Sequence, residues 1–218
     1  MRDLKIAHDN AGHPTNADFV RLLRRGNCRP EIVKWVKQHF RCDDCEANKR
    51  PRSRRPAAVP RSYRVNYIVG IDLVTVKNLQ GEPENWLNCV CWGSGFQIVH
   101  RLGAENRKTA ENVWSAFVSC WIRFLGPPDI VVCDDGTEFK GQFAECAGSN
   151  GICLLPIDPK APWQNGRTER AGGEWKRQFR HAIRRNVAVT DQEYETLGLM
   201  CSAVRNRYNN RSGFSPIQ

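Results

Sequence analysis

No stretch of this 218-residue chain approaches the length of a membrane span, which takes about 20 consecutive apolar residues. Its opening, Met1-Arg2-Asp3-Leu4-Lys5-Ile6, also lacks the apolar segment of an export signal. These absences argue against a membrane partner and against an oxidising destination. The ten cysteines are therefore not read as a disulfide scaffold. Cys89, Cys91, Cys120, Cys133 and Cys153 sit in apolar stretches and are expected to act as small core hydrophobes. Acidic residues are scarce as well, 23 against 33 Lys and Arg, for a net charge of +10.

The deficit is uneven. Residues 1–64 carry 16 Lys/Arg against 7 Asp/Glu, residues 65–163 carry 7 against 11, and residues 164–218 carry 10 against 5. An acidic centre between two basic flanks suits a polyanion held at the flanks and presented to an acid-rich, metal-loaded centre. The length fits one ordinary domain plus a small module, and 40% hydrophobic residues suffice for a core.

Residues 1–46 read as the small module. Phe19, Leu22 and Leu23 mark a short helix opened by Thr15 or Asn16 and closed by Gly26. Pro30 begins another, with Ile32, Val33, Val36 and Phe40 as its apolar stripe. Fewer than 50 residues rarely fold without a staple. His8-x4-His13 ahead of these helices and Cys42-x2-Cys45 behind them supply one, since two imidazoles and two thiolates suit tetrahedral zinc. Residues 47–64 contain no acid, and Pro51, Pro56 and Pro60 interrupt them. They read as a basic linker whose Arg52, Arg54 and Arg55 track phosphates.

From residue 65 the pattern is α/β. Strands are expected near 65–77, 86–93, 96–102, 129–133 and 152–156, and helices near 109–124, 138–148, 166–186 and 190–208. Three acids stand out. Asp72 interrupts Ile68-Val69-Gly70-Ile71-Asp72-Leu73-Val74, Asp134 ends Ile130-Val131-Val132-Cys133, and Glu169 lies just inside the helix after Asn165-Gly166. A charge in or at the end of a buried strand is costly unless paired or bound to metal. Three converging carboxylates can hold two Mg²⁺ or Mn²⁺ ions for phosphoryl-transfer chemistry.

The stretches Cys133-Asp134-Asp135-Gly136-Thr137-Glu138-Phe139 and Pro162-Trp163-Gln164-Asn165-Gly166-Arg167-Thr168-Glu169-Arg170 resemble those of retroviral and retrotransposon integrases, in the ribonuclease-H-like superfamily. The similarity looks strongest to the gypsy-like branch of long-terminal-repeat retrotransposons. It implies a ribonuclease-H-like core over 65–218, with a mixed five-stranded sheet flanked by helices, preceded by a small all-α zinc-binding module. It also implies Asp72, Asp134 and Glu169 as the catalytic acids, and its register selects Asp134 over Asp135. Metal-dependent 3′-end processing and strand transfer, DNA and further copies of the chain as partners, and work in the nucleus follow from the resemblance. Glu138 is expected to serve at the surface, ahead of the alternative that it caps or lightly supports the site.

On the helix bearing Glu169, Lys176 and Arg180 lie within about 20° of that acid and Arg184 about 60° away, at 100° per residue. Ala171, Trp175, Phe179 and Ala182 form a separate, core-facing stripe. The basic row, with Arg177 beside it, is expected to guide DNA into the site, and Asn165 belongs to a loop that touches DNA in the integrases. Gly172-Gly173 is unusual in mid-helix, where each glycine costs about 1 kcal/mol. It suggests close approach of DNA, or a kink. Two other readings remain open: a transposase of a DNA element with the same acids, and a catalytically silent, domesticated copy that binds nucleic acid.

Overall fold

The computed structural model describes residues 2–47, 64–157, 165–185, 190–208 and 215–217. The expected linker, with Arg52, Arg54 and Arg55, lies outside the described residues except at its two ends. The chain divides into two compact units, residues 1–56 with 204–218 and residues 57–203.

In the first unit, helices α1 (Arg2–Asn10), α2 (Asn16–Arg25), α3 (Pro30–His39) and α4 (Asp43–Ala47) follow one another. Thr15 opens α2 by accepting a hydrogen bond from the Asp18 backbone N–H, and Pro30 occupies the first turn of α3. Phe19, Val20, Val33, Val36, Phe40 and Cys42 make the core. Helix α1 has no apolar stripe; its buried residue is His8, so His8 lies within a helix rather than ahead of the first one.

The second unit is a five-stranded mixed sheet of β1 (Ile68–Lys77), β2 (Pro83–Cys91), β3 (Gln97–Ala104), β4 (Ile130–Cys133) and β5 (Cys153–Pro156), in the order β3-β2-β1-β4-β5. The β1–β2 and β2–β3 pairs are antiparallel, and β1–β4 and β4–β5 are parallel. Helices α5 (Ala110–Phe117, continued through a π turn to α6, Arg123–Leu125), α7 (Gln142–Ser149), α8 (Gly166–Arg185) and α9 (Asp191–Tyr208) complete the series. Thr109 caps α5 as expected.

Strand alternation sorts the core into two layers. Odd-numbered Val69, Ile71, Leu87 and Cys89 pack with Phe117, Trp121 and Phe143 of the α5–α7 side. Even-numbered Val74, Val76 and Trp86 pack with Trp175 and Phe179 of α8 and Tyr194 of α9. Asp72, also even, belongs to the α8 side. Two glycines permit the close packing there: a Cβ on Gly172 would lie 2.9 Å from Val74 Cγ2, and one on Gly198 2.5 Å from the Trp86 ring. Gly172 therefore serves contact with the sheet rather than with DNA, while Gly173 faces open space. Cys89, Cys91, Cys120 and Cys133 are buried as expected, but Cys153 is exposed, because β5 is an edge strand.

Candidate functional site

Asp72 sits mid-strand in β1, opposite Asn88 of β2. On its other side, β1 and β4 run parallel with Gly70 level with Val132. Continuing that register two residues places Asp134, just past the end of β4, level with Asp72. Asp134 Oδ1 accepts a hydrogen bond from the Gly136 N–H at 3.1 Å. Asp135 instead pairs with Lys140 at 3.0 Å on the surface, as befits a turn residue.

Glu169 is brought in by the anchoring of the α8 amino terminus, which runs through side chains buried in the sheet. Asn88 Nδ2 donates to the Thr168 carbonyl at 3.0 Å, and Gln97 Nε2 donates to Asn88 Oδ1 at 2.6 Å. Trp92 Nε1 donates to Thr168 Oγ1 at 3.2 Å, and Asn165 Nδ2 to the Ile71 carbonyl at 3.3 Å. Arg167 donates to the Trp92 carbonyl at 2.8 Å, its guanidinium over the indole. Asn88, Gln97 and Thr168 are fully buried, where an unmade hydrogen bond is expensive, so the helix start is tightly specified. Gly70 makes room, since a Cβ there would fall 1.8 Å from Thr168 Oγ1.

The electrostatics mark the site. Burial pushes the Asp72 carboxyl from its usual 3.8 to about 7. Asp134 adds to the rise, as do Glu169 and Glu138, while the Leu73 backbone N–H opposes it. Four acids thus bear on one point, an arrangement a cation relieves. Among the described residues the three expected carboxylates do not close to the 4.8 Å mutual spacing that the histidine–cysteine cluster shows.

Glu138 was expected at the surface ahead of a supporting role, and it is buried. It is 5% exposed and pairs with Lys108 at 3.2 Å, and it adds to the pressure on Asp72. The absence of a side chain on Gly136 lets it fold back toward Asp134. Its signals in the sequence were that glycine two residues ahead of it and its place in the stretch Cys133–Phe139.

No protein-family model and no curated protein sequence matches the chain. Solved structures do. An intasome chain of simian T-cell lymphotropic virus, in complex with the PP2A regulatory subunit B56 gamma, superposes with a TM-score of 0.63 at 18% identity, over 88% of this chain and 70% of that one. The HTLV-2 integrase catalytic core with magnesium superposes with a TM-score of 0.58 at 22% identity. It covers 70% of this chain and 94% of the trimeric form, and 71% and 95% for the dimeric form. The fold is that of a retroviral integrase catalytic core.

On this integrase-type core the basic row of α8 falls as the helical wheel placed it. Arg180 and Arg184 are exposed, and Lys176 and Arg177 are half-buried. Burial holds the Lys176 ammonium below its usual range, and Arg180 lowers it further, so the two cations share one patch. Ala171, Trp175 and Phe179 are buried beneath.

In the first unit, His8, His13, Cys42 and Cys45 place their ligand atoms within 4.8 Å of one another and can hold a metal ion. His8 Nε2 is 3.3 Å from Cys45 Sγ, and His13 Nδ1 is 3.5 Å from Cys42 Sγ and 3.7 Å from Cys45 Sγ. Bond lengths of about 2.3 Å to sulfur and 2.0–2.1 Å to nitrogen give a tetrahedral N···S edge of roughly 3.5 Å, so the set fits zinc. Asp9 stands 3.7 Å from His13 Nε2, where a carboxylate orients a ligating imidazole. No helix among the described residues is long and apolar enough to cross a membrane.

Proposed function

We propose that the chain is an integrase of a long-terminal-repeat retrotransposon or retrovirus-like element, of the gypsy-like kind, trimming element DNA ends and joining their 3′-hydroxyls to target DNA in the nucleus. The observation that carries this reading is the grouping of Asp72, Asp134 and Glu169 on one side of an integrase-type sheet, with the pressure on Asp72 that a cation relieves.

Asp72, Asp134 and Glu169 are the ligands for two Mg²⁺ or Mn²⁺ ions, which when bound activate the attacking oxygen and stabilise the leaving oxygen. Asn88 and Trp92, through Thr168, fix Glu169 against β1. Lys176, Arg180 and Arg184, with Arg177 alongside, offer the DNA backbone a cationic track that begins at Glu169. Asn165 ties the start of α8 to the carbonyl of Ile71, next to Asp72, and belongs to the DNA-facing loop. Zinc at His8, His13, Cys42 and Cys45 staples the helices of the first unit. The chain works as a multimer on DNA.

A strand-transfer assay with labelled element-end duplex, target plasmid and Mg²⁺ tests the proposal. Wild-type protein produces joined DNA and Glu169→Gln does not; equal activity in the two sinks it.

A further inference from the structure

We propose that Glu138 is a fourth carboxylate of the acid site, facing the cation beside Asp134, and that the half-buried Lys108 is its counter-charge. The proposal rests on the reading of Asp72, Asp134 and Glu169 as a divalent-cation site and adds two residues to it.

The geometry is specific. Glu138 is 95% buried. Its Oε1 lies 3.2 Å from Lys108 Nζ. Its Oε2 lies on the Gly136 side, in the neighbourhood of Asp134. A Cβ on Gly136 would lie 2.7 Å from Glu138 Oε2 and 2.9 Å from Asp134 Oδ1, so these two oxygens are at most 5.6 Å apart, the sum of the two distances. Two carboxylates within that distance, one of them buried, repel each other, and the oxygen paired with Lys108 is Oε1. A pair that merely pinned the loop to the start of α5 would not need its carboxylate turned toward a like charge. A shared divalent cation, reached directly or through a bound water, relieves that repulsion.

Coulomb's law then gives the two partners opposite signs. Removing the Glu138 charge weakens cation binding, and removing the Lys108 charge strengthens it. If the pair is only structural, both substitutions loosen the same loop and shift affinity the same way. The experiment is calorimetric titration of Mn²⁺ into the zinc-loaded full chain without DNA, with Asp72→Asn marking which heat belongs to the acid site. The expected result is that Glu138→Gln weakens binding about tenfold and Lys108→Met tightens it several-fold, in line with a unit charge at this range. Shifts in the same direction, no shift in either variant, or no Mn²⁺ bound at the acids of the wild type would each overturn the proposal. If Glu138→Gln does not fold, the sign of the Lys108→Met shift decides alone. Strand transfer by wild type with Mn²⁺ affinity unchanged in both variants refutes the role of Glu138 and leaves the integrase reading standing.

Discussion

Asp72→Asn should stabilise the cation-free protein, and by an amount that depends on pH. The distance from 3.8 to about 7, at about 1.4 kcal/mol per pH unit, bounds the cost of ionising this carboxyl in the fold at about 4 kcal/mol. The side chain keeps some access to solvent, and screening reduces the figure to about 2 kcal/mol. The sign follows from proton linkage. The folded state holds the Asp72 proton more tightly than the unfolded chain, so stability falls as pH rises from about 4 to about 7 and levels off above. Asparagine cannot ionise and escapes that loss. The assay is urea unfolding of the zinc-loaded protein in Mg²⁺-free buffer, followed by fluorescence of the buried Trp86, Trp121 and Trp175. Near pH 8 the variant should exceed wild type by about 2 kcal/mol, and the gap should narrow as pH falls toward 5. Adding Mg²⁺ should stabilise wild type and leave the variant nearly unmoved. A variant no more stable than wild type near pH 8, or a gap that ignores pH, would refute the reasoning.

Asn88→Leu should cost about 2–3 kcal/mol in urea unfolding, because the Thr168 carbonyl and the Gln97 amide lose buried partners. It should also lower Mg²⁺-dependent joining more than DNA affinity. Gly70→Ala should destabilise by about 1–3 kcal/mol in the same assay, as its Cβ forces the start of α8 off the sheet. Reversing Arg180 and Arg184 to Glu should weaken binding to every DNA sequence alike and lower the salt slope of log K by about 2, measured by fluorescence anisotropy. Zinc removal should raise hydrogen exchange across α2 and α3 while β1 and β2 stay protected.

The strands and long helices were legible because their apolar periods are strong, as in Ile130-Val131-Val132-Cys133 and Trp175-x3-Phe179. Asp72 and Asp134 stood out in the sequence because carboxylates in or beside apolar strands have few other uses. Other features depended on tertiary contacts. Asn88 alternates with Leu87 and Cys89 as an outward-facing residue would, yet β2 is a central strand covered on both sides, which turns Asn88 into a buried link to α8. Glu138 reads as a solvated turn residue until the space left by Gly136 is seen. Helix α1 is hard to read, since its inward face is only Leu4 and the metal-type ligand His8. Gly172 marks close packing, but not against which surface.

The central claim is that Asp72, Asp134 and Glu169 hold divalent cations. Anomalous scattering from crystals soaked in Mn²⁺ measures it most directly. The account predicts Mn²⁺ at about 2.1–2.2 Å from carboxylate oxygens of Asp72 and Asp134, with Glu169 on the same or a second ion. Mn²⁺ bound elsewhere, with Asp72 and Asp134 unliganded, would contradict it.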